Sequence, residues 1–201
     1  MHIGQKVSSW EFYVAAGKPE SRRYAKMLNQ PNQREQKLTD AAYDFFLAHS
    51  DKVQVGLTLQ TKMVVVRGRD LSDQQLISLQ SDFSNFAKRL NRSIFGQGNR
   101  RKPKQYSLLL LPTLEGSMFS PEGCRTLHYH VGIGGIPNQL GPIEFKAKVY
   151  EEWSRSRYGQ MDIKAQPSDQ GWMAYITKEL EYGNLKVCDF GNAFIPEIPK
   201  I

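Results

Sequence analysis

Beyond residue 52 the apolar residues change spacing in a fixed order, and that order leaves few folds open to the chain. Val53, Val55, Leu57 and Leu59 alternate with Gln54, Gly56, Thr58 and Gln60, the period of a half-buried strand. Ser72-Asp73-Gln74-Gln75 has the capping-box pattern of Ser with Gln three residues on. Leu76, Leu79, Phe83, Phe86, Ala87, Leu90 and Ile94 then recur at helical spacing, and Gly96 closes that helix. Residues 106–115 read as a second strand, apolar enough to be buried. Residues 116–124 carry Ser, Pro and Gly and read as a hairpin loop, and residues 126–133 as a third strand. Pro142 opens a helix through Phe145, Val149, Tyr150 and Trp153. Residues 160–166, with Met161, Ile163 and Ala165, form a short alternating strand. Ser168 caps a last helix carrying Trp172, Ala174, Tyr175, Ile176 and Leu180, which Gly183 ends. The order is β-α-β-β-α-β-α. Its first six elements are the ferredoxin-like or RRM-like βαββαβ plan of an α+β fold. That plan sets the first and third strands side by side at the sheet centre and pairs the second with the third. Two helices cover one face, and the other is expected to stay open.

The rest of the chain is organised around this unit. Residues 1–36 are polar and irregular. In residues 37–49, Leu38, Ala41, Ala42, Phe45, Phe46 and Ala48 make one apolar helical face. Residues 1–50 are therefore read as an extension with one helix packing on the domain, and residues 51–201 as the domain with a C-terminal tail. Gly191, Pro196 and Pro199 break that tail, which is expected to pack on the surface. Apolar residues make up 40% of the 201, which excludes a wholly disordered chain. Apolar runs such as residues 108–111 are far too short for a membrane span, and no apolar signal core follows the N-terminal charge. Cys124 and Cys188 form no close pair, so a reduced cytoplasmic setting is expected. The formal net charge of +7 favours a polyanionic partner.

His128-Tyr129-His130 carries the chemistry. Side chains at i and i+2 leave a strand on the same face, so both imidazoles project together while Leu127, Tyr129 and Val131 face the core. Glu115, at the end of the preceding strand, lies across the hairpin from His128 and is the candidate third ligand. Two imidazoles and a carboxylate with open positions suit Mn²⁺ or Mg²⁺, with Zn²⁺ the rival. Cys124 shares the strand parity of the pair and is an alternative ligand, or a small buried residue. In Tyr175-Ile176-Thr177-Lys178, Tyr and Lys share one helix face. There the ammonium is able to favour a nucleophilic phenolate and to hold a phosphate oxygen. Arg89, Arg92, Arg100, Arg101, Lys102 and Lys104 form a basic stretch around the loop between the first helix of the plan and the second strand. It suits DNA phosphates, or is a solvated charge run. Tyr106, Tyr158 and Trp172 suit base stacking, with core packing the plainer role.

These motifs together resemble the HUH endonuclease superfamily, in particular the replication initiators of rolling-circle plasmids and of single-stranded DNA phages and viruses. Val55-Gly56-Leu57-Thr58-Leu59 resembles its first motif, His128-Tyr129-His130 its metal-holding second, and Tyr175-Ile176-Thr177-Lys178 its third, in the family's order across roughly residues 50–183. The resemblance implies a metal on His128, His130 and Glu115, with Tyr175 the nucleophile and Lys178 its aid. It implies nicking and joining of single-stranded origin DNA through a 5′-phosphotyrosine. No G-x-x-x-x-G-K-[ST] pattern is present, so unwinding and extension fall to a host helicase and polymerase. Gly132 departs from H-x-H-x-H nucleotide hydrolases, and Glu179 from initiators with a second Tyr four residues on; Tyr182 is left as a packing residue. A single-strand transposase or relaxase-like enzyme would share the chemistry. A non-catalytic RRM-like binder would need aromatics where the third strand carries His.

Overall fold

A computed structural model describes residues 33–66, 71–116, 124–168, 170–178, 180 and 184–197. The first 32 residues, the hairpin tip at 117–123, Glu179, Tyr182, Gly183 and Pro199 lie outside this set. The elements in order are α1 (Gln33–Leu47), β1 (Val55–Val66), α2 (Asp73–Phe95), α3 (Gln97–Arg101), β2 (Leu109–Glu115), β3 (Cys124–Gly134), α4 (Pro142–Ser154), β4 (Gly159–Pro167) and α5 (Gln170–Ile176). Single 3₁₀ turns lie at Ser50–Lys52 and Leu185–Val187. The four strands form one antiparallel sheet in the order β2-β3-β1-β4. This is the expected α+β plan, with β1 and β3 central.

Local signals set the helix ends. Ser72 Oγ accepts the Gln75 N–H, and Gln75 Oε1 accepts the Ser72 N–H, closing the capping box that starts α2. Gly96 ends it at a positive φ of 54°. The buried stripe Leu79, Phe83, Phe86, Ala87 and Leu90 of α2 joins Phe145, Val149 and Trp153 of α4. Both lie on Leu57, Leu59, Leu127, Tyr129, Val131 and Ile133 of the central strands. The alternation of β3 thus divides its side chains as expected: the apolar set enters this core, and His128 and His130 take the opposite face.

That opposite face departs from the expectation of an open surface. Ala42 and Phe46 of α1, Trp172, Met173 and Ile176 of α5, and Val187 and Cys188 of the tail pack on Leu109, Leu111 and Val53 as a second core. The reason lies in β2. Leu109 and Leu111 point away from the first core and need cover of their own. The tail is accordingly no surface strap: it makes isolated bridges Thr113↔Cys188 and Leu110↔Phe194 along β2. The face of α1 is narrower than its sequence, for Ala42 and Phe46 are buried while Leu38 and Leu47 stay about half exposed.

Element boundaries also move. The last helix, expected to carry Leu180, ends at Ile176, so Leu180 lies beyond it. β1 starts at Val55 and runs on to Val66, beyond the alternation. A bulge between Gln60 and Val64 lets Thr61 turn inward, where its hydroxyl donates to the Leu127 carbonyl at 2.7 Å. The basic loop contains a helix, α3. The second strand starts at Leu109 and not at 106, because the Asn99 amide holds the Tyr106 carbonyl and the Ser107 hydroxyl, each at 2.8 Å, in a turn. Tyr106 is left outside the sheet and exposed.

Candidate metal centre

Register brings the ligands together. Glu115 of β2 pairs with His128 of β3, and Thr113 with His130, so all four share a sheet face. Oε2 of Glu115 lies 2.5 Å from His130 Nε2 and 3.4 Å from His128 Nε2, and the two Nε2 atoms are 3.1 Å apart. One ligand atom from each of Glu115, His128 and His130 falls within 4.8 Å of the others, a set able to hold a metal ion.

The outer nitrogens show that the set fits an ion. His128 Nδ1 lies 3.3 Å from the Thr126 carbonyl, a contact that orients the ring with Nε2 toward Glu115 and His130. His130 Nδ1 lies 3.0 Å from Thr58 Oγ1 on the neighbouring strand β1, an orienting contact of the kind that metal-ligating histidines use. Thr58 belongs to the first sequence motif, where no role was read for it. Strand parity is the signal that finds it, since it sits directly opposite His130.

Charge concentrates on Glu115. Burial alone would raise its carboxyl, but hydrogen bonds from His128, His130 and Lys178 outweigh that and hold it well below the ordinary carboxylate range. Burial lowers the pKa of His130, while Glu115 partly restores it. Oε1 of Glu115 takes a 2.6 Å ion pair from Lys178.

Helix α5 brings the third motif over this cluster. The Tyr175 ring lies 5.0 Å from the His130 ring, edge to face, and the residue stays 45% exposed. Lys178 lies just past α5 with its Nζ 3.9 Å above the Tyr175 ring. The predicted i, i+3 neighbours thus meet. Yet the ammonium lies over the face of the ring and is bound to Glu115, so it bridges nucleophile candidate and ligand.

The remaining predicted residues fare differently. Arg89 is no free DNA contact: its guanidinium binds the buried Glu152 carboxylate at 3.2 Å, the Glu152 carbonyl at 2.9 Å and Ser156 Oγ at 3.0 Å, within the α2–α4 layer. Lys104 pairs with Glu197 at 3.3 Å on the surface. Arg92, Arg100, Arg101 and Lys102 are exposed, but they gather where β2 begins, whereas Glu115 ends it. Cys124 opens β3 opposite Val66, and its side chain lies outside the described set. Burial pushes the Cys188 thiol up to about 12, the mark of an inert packing cysteine. Tyr158 packs against the first core, and Trp172 is buried against the site. Among the described residues no helix is long and apolar enough to cross a membrane. Protein-family models, curated proteins and solved structures yield no match to this chain.

Proposed function

We propose that the protein is a metal-dependent endonuclease that nicks and rejoins single-stranded DNA through Tyr175, as a rolling-circle initiator does. One observation carries the reading: Tyr175, 45 positions beyond His130 in the chain, stands with its ring 5.0 Å from that ligand, partly open to solvent and bridged to Glu115 by Lys178. A metal ligand, a candidate nucleophile and a cation at one place are the parts that phosphoryl transfer uses.

A Mn²⁺ or Mg²⁺ ion held by Glu115, His128 and His130 would polarise the scissile phosphate and offset the charge developing on it. The residues supply the rest. Tyr175 Oη attacks phosphorus and gives up its proton; the bond from phosphorus to O3′ breaks, and the departing oxygen takes up a proton as the free 3′-OH. The 5′-phosphate stays on Tyr175. A later 3′-OH reverses the step without ATP and restores the phenol. Lys178 keeps a positive charge beside the phosphate. Among the described residues, the track left for a strand is the β1–β4 half of the face, because α1 and the tail pack over the β2 half. On that track Lys164 pairs with Thr58, level with His130, and is exposed. Asp162 shares the track and limits its positive charge. Unwinding and extension fall to a helicase and a polymerase of the host.

The test uses a single-stranded oligonucleotide pool with a degenerate core and a 3′ fluorophore, incubated with the protein and Mn²⁺. The expected product is an SDS-resistant, protease-sensitive band that keeps the 3′ label and disappears in Tyr175→Phe and His128→Ala. A wild-type protein that binds the pool but forms no such band would be a binding module. Adduct formation by Tyr175→Phe would remove Tyr175 from the mechanism.

A further inference from the structure

The first sequence motif holds no metal ligand and no nucleophile, yet it touches the helix that bears Tyr175. Gly56 of β1 faces Trp172 of α5. A Cβ placed at position 56 would stand 2.7 Å from Cδ2 and 2.8 Å from Cζ2 of the indole, well inside the ~3.5–4.0 Å at which carbon atoms pack. The indole has little room to withdraw. It is 6% exposed, meets the His130 ring edge to face at 5.5 Å, and leans on the Tyr175 ring at 5.6 Å. Backbone freedom does not explain this glycine, because the positive-φ glycines of the described residues are Gly96, Gly116 and Gly135. An alanine suits a strand better than glycine does, so the missing side chain makes space for something.

We infer that Gly56 is a positioning residue for Tyr175. The bare backbone of β1 is a seat for Trp172, and the depth of that seat sets how closely Tyr175 stands over the His–Glu cluster. This rests on the reading of Tyr175 as nucleophile and deepens it. The ligands themselves stand on β2 and β3, so a change at Gly56 lifts α5 while leaving the metal-binding atoms on the sheet.

Gly56→Ala separates this role from general damage. The rate of adduct formation is expected to fall about 100-fold, the scale of a 1 Å misplacement, at unchanged affinity for Mn²⁺ and for single-stranded DNA. Adding Trp172→Phe removes part of the indole and should raise the rate of Gly56→Ala, a coupling that independent sites do not show. A readout without chemistry uses fluorotyrosine-labelled protein, with the Tyr175 signal identified by its loss in Tyr175→Phe. Bound Mn²⁺ broadens that ¹⁹F signal strongly in the wild type, and less in Gly56→Ala because the ring has moved away. Equal broadening in both proteins, or a Gly56→Ala rate equal to wild type, overturns the inference. So does a loss of rate that tracks a loss of Mn²⁺ affinity and that Trp172→Phe does not relieve. Absence of adduct from the wild type would refute the nuclease reading instead, and the ¹⁹F comparison would still decide the seat.

Discussion

At the scale of single residues, the site depends on groups that are not ligands. His130 is nearly buried, and Thr58 meets its outer nitrogen. Thr58→Val keeps the shape of the side chain and deletes that contact. Mn²⁺ affinity is expected to drop at least ~10-fold, as for loss of other outer-shell partners, with little change in the unfolding midpoint. A Mn²⁺ titration followed by electron paramagnetic resonance measures it, and unchanged affinity would show the contact to be incidental. In the tail, Asp189 is a buried carboxyl whose effect falls on stability. It accepts from Tyr129 Oη at 3.3 Å and Asn192 Nδ2 at 2.7 Å, and has a pKa raised by burial above its ordinary 3.8. A raised folded value means that the fold holds the proton more tightly than the unfolded chain. The stability this gives is complete below about 3.8 and is lost as pH rises through the higher folded value. Its slope cannot exceed about 1.4 kcal/mol per pH unit, the limit for one proton. Asp189→Asn should flatten the acid-side slope in urea unfolding measured from about pH 3.5 to about pH 7, from just below the ordinary carboxyl value upward. A slope retained in the variant would place the titration elsewhere.

At the scale of elements, the basic residues of α2 and α3 divide by what surrounds them. Arg89 ties α2 to α4 through buried Glu152. Arg89→Ala is expected to cost roughly 3 kcal/mol, the lower end for breaking a buried pair because Arg89 keeps some solvent, and to leave single-strand binding untouched. Lys164→Ala on β4 should do the reverse, weakening binding at low salt and reducing its salt dependence by about one charge without altering the urea midpoint. A swap of those two phenotypes would refute the β1–β4 track. The strands, the two long helices and the ligand set were legible in sequence because period, caps and parity are local properties. Arg89 was not, since a surface helix charge and a committed ion pair have the same sequence. The shortened second strand was hidden for a similar reason: Asn99 closes that turn with a side-chain amide, and Tyr106 and Ser107 look like strand residues without it.

At the scale of the whole molecule, the sheet separates two cores. One holds the long helices, and the other fixes α1, α5 and the tail around the ligand face. The fold class was readable because element order dictates it, but the sealing of the second face was not. It depends on residues as far apart as Phe46 and Cys188, 142 positions of sequence, joining one cluster, which no local period records. Phe46, 1% exposed, anchors α1 there. Phe46→Ala should destabilise the protein by about 3–5 kcal/mol and lower the urea midpoint. A shift under about 1 kcal/mol, typical of a surface position, would show that α1 is a detachable flap. The orientation of β2 has a consequence of its own. Asn99 ties α3 to Tyr106 and Ser107, just before β2 begins, and Glu115 is the last residue of β2, six residue steps beyond Leu109. Six steps of strand span about 20 Å, which equals about six phosphates along one strand of a B-form duplex. The basic residues of α3 therefore lie about that far from the candidate metal centre, too far for a side chain at one end of β2 to touch a phosphate held at the other.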